Sequence, residues 1–112
     1  MSRLLFVFAK EQIMIPGGRY LDQAREVLAD HRQSARDRLV RAGSLFWRAY
    51  AAHDLWPRQV VEQAEAVIRQ LLALGRIDQT VAAMDEPAAR RSCNDLAHFI
   101  RFCRRFDERH AA

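Results

Sequence analysis

The sequence predicts an all-α fold, a compact bundle of four to five helices forming a single domain over residues 1–112. Three observations lead there. Half of the residues are hydrophobic, and a chain of this size can bury about 60–70% of its unfolded surface. Proline and most glycines sit at punctuation points: Pro16-Gly17-Gly18, Pro57, Gly75 and Pro87. Between them lie stretches of helical length whose apolar residues recur at steps of three and four.

The first stretch, residues 3–15, reads two ways. Leu4 to Phe8 suits a buried strand or a helix that is apolar all round. No second strand is evident to pair with it, so a helix is expected. Such a helix needs cover, and residues 1–18 are expected to find it within the fold or on a partner subunit. The unbroken apolar run from Leu4 to Ala9 is too short for a secretory leader core or a membrane span.

The second stretch, about Tyr20 to His53, carries Leu21, Ala24, Leu28, His31, Ala35, Leu39, Ala42 and Phe46 along one seam. A long helix is expected, bent or broken at Gly43-Ser44, where Ser44 can cap a second segment. His31 on the seam is expected to be packed, and a pH-sensitive contact is the functional version. Ala24, Ala35, Ala42 and Ala49 leave room for a close partner helix. The third stretch, Pro57 to Leu74, puts Val60, Val61, Ala64, Val67, Ile68, Leu71 and Leu72 on one face and Arg58, Glu62, Glu65 and Arg69 on the other. Pro57 suits the first turn and Gly75 the position past the end. Glu65 and Arg69 are placed to pair.

A short helix over about 77–84 follows. Asp85 then caps the last helix, with Pro87 tolerated in its first turn, and that helix runs to about Arg109. On its wheel Cys93, Leu96, Ala97, Phe99, Ile100, Phe102, Cys103 and Phe106 fill a broad apolar arc of roughly 220°. That is wide for one partner helix. Phe99, Phe102 and Phe106, with Asp95 inside the arc, are therefore the candidate subunit interface. Asp95 is also placed to pair with Arg91. His98 faces away from Cys93 and Cys103, so the three cannot converge on a metal. The two thiols read as small buried hydrophobes. Their spacing within one helix precludes a bond between them, and a cytoplasmic location is expected.

Seventeen of the eighteen positive residues are arginine, and the net charge is +4. Arginine offers a planar fork for phosphate and carboxylate. Arg25, Arg32 and Arg36 fall within about 40° on one continuous helix, making them the first phosphate-binding candidates. Arg101, Arg104, Arg105 and Arg109 form a second basic group, of which Arg101 and Arg105 are the leading members. The chain has no glycine-rich phosphate loop, no H-E-x-x-H and no G-x-S-x-G. Neither a catalytic residue, a cofactor nor a metal is expected.

One spacing points elsewhere. Arg105-Phe-Asp-Glu-Arg-His110 places four residues between an arginine and a histidine, and Arg91 to His98 is a six-residue version with Ser92 after the arginine. This resembles the R-x(4–6)-H element of the HEPN ribonuclease families. That resemblance implies a small helical enzyme cleaving RNA across a dimer. The leading expectation is a non-enzymatic basic helical module that self-associates and engages a macromolecular partner. A nucleic-acid-binding subunit is the alternative and a HEPN-like ribonuclease the third. Homo-oligomer or protein partner, nucleic acid, and no membrane are the partner expectations.

Overall fold

Where the backbone amides of residues 13 and 14 go decides how the chain leads into the first helix. The computed structural model describes residues 12–110, so most of the helix expected over 3–15 lies outside the described residues. From Gln12 to Ile15 the backbone is irregular rather than helical. Its amides bond across the molecule. Ile13 N–H donates to Asp22 Oδ2 (3.0 Å) and Met14 N–H to Asp107 Oδ2 (2.7 Å). Ile13 and Ile15 are buried in the core of this chain.

Five α-helices follow among the described residues: α1 Gly18–Ala29, α2 Ala35–Tyr50, α3 Arg58–Leu71, α4 Ile77–Ala82 and α5 Glu86–His110. A single 3-10 turn, His53–Leu55, joins α2 to α3. The all-α bundle is as expected. No strand occurs among the described residues, and no helix there is long and apolar enough to cross a membrane.

The expected long helix is two helices. The chain turns at residues 30–34, not at Gly43-Ser44. Asp30 Oδ1 accepts from the Arg32 amide and guanidinium, and Ser34 Oγ accepts from the Asp37 amide at 3.1 Å. Such a cap stabilises a helix start by about 1 kcal/mol. His31 therefore leaves the seam and is exposed in the turn. Gly43 sits mid-helix for another reason. A Cβ there would meet Ile77 and Leu71 side-chain carbons at 3.4 Å, so its bareness suits the close fit of α2 against α3 and α4. Ser44 caps nothing and donates to the Val40 carbonyl within α2.

Three charged side chains tie helix ends together around that turn. Arg38 Nη1 donates to Leu28 O at the end of α1 (2.8 Å). Glu86 Oε1 accepts from the Ala35 amide at the start of α2 (3.2 Å). Arg36 donates to Met84 O just beyond α4 (2.9 and 2.6 Å). These are the unpaired groups that helix termini leave behind.

α5 is the spine, packing against α1, α2 and α3. Asp85 Oδ1 accepts from the Ala88 amide and caps it, with Pro87 in the first turn, as expected. Phe46 of α2 is fully buried and meets Phe99 of α5 edge-on at 5.3 Å. Leu21, Ala24, Leu28, Leu39, Ala42, Val60, Ala64, Val67 and Leu71 line the same core, so the seams read from the sequence are the buried faces. All four alanines expected to admit a close partner helix are buried. Glu65 and Arg69 do not form an ion pair in α3, whereas Arg58 and Glu62 do, at 3.1 Å. Trp56, after the 3-10 turn, donates Nε1–H to Pro16 O (2.6 Å) and so pins the entry to α1.

Candidate functional site

The turn at 30–34 disperses the first set of basic candidates. Arg25 is half-buried on α1 and shares a depression of about 240 Å³ with Asp22 and Glu26. Arg32, in the turn, pairs with Asp30 at 2.9 Å, and that hydrogen bond holds the Asp30 carboxyl below its usual value. Arg36 is committed to the Met84 carbonyl. The expected stripe of three does not exist, because its geometry assumed one unbroken helix.

The second set belongs to a larger feature. α5 runs for 25 residues and presents Arg90, Arg91, Asn94, His98, Arg101, Arg105 and Arg109 to solvent, all exposed. At about 100° per residue these fall within an arc of about 100°, and Arg90 to Arg109 spans about 28 Å. Glu108 is the one carboxylate on the same arc. The four ion pairs among the described residues lie elsewhere, at Arg32–Asp30, His53–Asp54, Arg58–Glu62 and Arg76–Asp78. Sequence reasoning named Arg101, Arg104, Arg105 and Arg109 but missed Arg90, Arg91 and His98 as parts of this face. The signal was in the same helical wheel, on the side opposite the phenylalanines. Arg104 is half-buried and stands beside the arc.

The apolar side of α5 is largely spoken for inside the chain. Phe99, placed among the interface candidates, is buried along with Cys93, Leu96, Ile100 and Cys103. The arc is wide because α5 meets three helices, not one. Phe102 and Phe106 are half-buried at its edge. Asp95 is exposed rather than enclosed, beside Gln63, Gln70 and His98 in a shallow depression between α3 and α5. It forms no ion pair with Arg91 among the described residues.

Phe102 and Phe106 line a groove of about 270 Å³ with Gln59 of α3 and with Arg105, Arg109 and His110. The His110 ring stacks on Phe106 (4.1 Å, 18°), and its Nδ1 donates to the Phe106 carbonyl at 2.8 Å. Arg105 and His110, one of the two Arg/His pairs, therefore share one groove. Arg91 and His98 both lie exposed on the arginine face.

Both cysteines are free and buried. Cys93 Sγ–H donates to the Ala35 carbonyl at 3.4 Å. Burial, with a smaller push from the Asp107 carboxylate, raises the Cys103 thiol from 9.0 to about 12. The protonated thiol is the form the fold accepts, while the unfolded chain loses that proton near its ordinary value. The linked stability is thus complete below pH 9.0 and declines as pH rises toward about 12. Urea midpoints measured from pH 8 upward are expected to fall more steeply for the native chain than for Cys103→Ala. Equal slopes would show that this thiol carries no such linkage. No group of His, Cys, Asp and Glu among the described residues is placed to hold a metal ion.

Compared with family models, curated proteins and solved structures, the chain matches none of them.

Proposed function

We propose that the protein is a small non-catalytic binding module that engages nucleic acid by laying the arginine face of α5 along phosphates. One observation carries the reading: five arginines and His98 are exposed on a single arc of one helix, outside the four ion pairs found among the described residues. Uncommitted guanidinium groups are the side chains best matched to phosphate oxygens. Guanidinium groups a helical turn apart, about 5.4 Å, come within reach of successive phosphates. The net charge of +4 acts in the same direction at longer range.

Binding should weaken steeply with salt, as counterion release requires. Replacing Arg90, Arg91 and Arg101 together by Gln is expected to lower affinity and to flatten the log K against log salt slope by about three. All three side chains are exposed, so the thermal midpoint should stay within about 5 °C of the native value, since each exposed substitution changes stability by no more than about 0.5 kcal/mol. Absence of binding to DNA and RNA at low salt would sink the reading. Cleavage of an RNA probe that is lost on His98→Ala or His110→Ala would replace it with the ribonuclease reading.

Self-association is a separate proposal with less to support it. Phe99 is enclosed within the chain, which leaves Phe102 and Phe106 as its candidate surface. Light scattering on the same samples decides whether a second copy is present.

A further inference from the structure

The groove at the C-terminal end of α5 opens along the edge of the arginine face, and Arg105 and Arg109 belong to both. On the α5 wheel Phe102 and Phe106 follow the arginine arc directly, at about 20° and 60° beyond its edge. The groove is therefore lined together by guanidinium groups, by the aromatic rings that follow them on the wheel and by the Gln59 amide of α3. No carboxylate among the described residues lines it. His110, held against Phe106 by its stacking and by its bond to the Phe106 carbonyl, covers one face of that ring and, being exposed, adds its own ring to the lining.

That combination has a specific chemical complement. An aromatic ring offers a face on which a base can stack. An amide carries a donor and an acceptor that can pair with a base edge. Guanidinium groups alongside take the phosphate attached to that base. A duplex keeps its bases stacked on one another, so only an unpaired base can enter. We propose that this groove takes an unstacked nucleobase of a single-stranded nucleic acid whose phosphates lie on the arginine face. The inference rests on the nucleic-acid reading above and narrows it to single strands.

The test uses the full chain and an oligonucleotide carrying 2-aminopurine, whose fluorescence falls when the base stacks. The same sequence annealed to its complement is the comparison. The native protein is expected to quench the single-stranded probe and to bind it more tightly than the duplex. Phe106→Leu and His110→Ala should each weaken single-strand binding about tenfold, leave the probe bright and leave duplex binding unchanged. Phe106 packs partly against the core. His110 is exposed, so the His110→Ala variant separates loss of stacking from loss of fold.

Equal binding of duplex and single strand with an unquenched probe overturns the groove inference alone and leaves the arginine-face reading standing. A groove closed by a second copy or by the chain's own apolar residues gives that same unquenched result. Loss of duplex binding in His110→Ala also overturns it, since stacking would then not be the role of that ring. No binding of either form at low salt overturns both readings together.

Discussion

Phe46→Ala is expected to cost about 3–5 kcal/mol, the range for removing a large aromatic from a packed core. The ring is completely buried, meets Phe99 edge-on at 5.3 Å and lies 6.3 Å from Tyr50. Truncation leaves a cavity where α2 and α5 meet, and α5 is the helix on which α1, α2 and α3 pack. A domain of this kind has about 5–15 kcal/mol in total, so much of the folding free energy would go. Urea denaturation followed by circular dichroism measures it. A loss under about 1 kcal/mol, the size of an average point substitution, would mean that the α2–α5 contact is not central to stability.

Gly17→Ala is the second large effect, and it comes from backbone rather than side chain. Gly17 has φ 81 and ψ 0, the left-handed region. A Cβ there would lie 2.8 Å from Ala49 O and 3.0 Å from Ala49 Cα, both backbone atoms of α2. The left-handed conformation alone costs an alanine about 1–2 kcal/mol. The clash adds to it, because neither atom can rotate away. The turn would have to shift, and Pro16 O, which holds the Trp56 indole, would shift with it. A total of at least about 2 kcal/mol is expected. Gly75→Ala is the internal control. Its φ is 90 but nothing lies within 4 Å, so only the conformational part is lost. Equal destabilisation by the two substitutions would refute the claim of close approach at Gly17.

The helices were legible in the sequence because their buried faces repeat at three and four. Val60, Ala64, Val67 and Leu71 mark α3 without ambiguity, and Asp85 and Pro87 mark the start of α5. The turn at 30–34 was hidden by the same rule. Leu28 and Ala35 are seven residues apart, so the seam continues in phase across a stretch that is not helical. The polar run Asp30-His-Arg-Gln-Ser34, with Ser34 three residues before Asp37, was the signal for it. Misplacing that turn misplaced the first basic site, since Arg25, Arg32 and Arg36 share a face only on a continuous helix. The arginine face of α5 needed no tertiary information beyond the existence of one uninterrupted helix. The groove did, because Gln59 joins it only through the packing of α3 beside α5. No local pattern specifies that neighbour.

The α1–α2 turn looks like a local reversal, but part of its support is remote. Arg36 reaches Met84 across 48 residues, Glu86 reaches the Ala35 amide across 51, and Cys93 reaches the Ala35 carbonyl across 58. A nascent chain that ends before Met84 holds the two helices and the local bonds of their junction, Arg38 to Leu28 O and the Ser34 cap, but not Met84, Glu86 or Cys93. Closing these long loops has an entropic cost that rises with their length, and contacts of wide sequence separation slow the search for the native state. The corner of the molecule that is earliest in the chain is thus completed last, when the spine arrives. The remote bonds join the first two helices to the final one, beyond the packing and the Arg38 bond that already link them to each other.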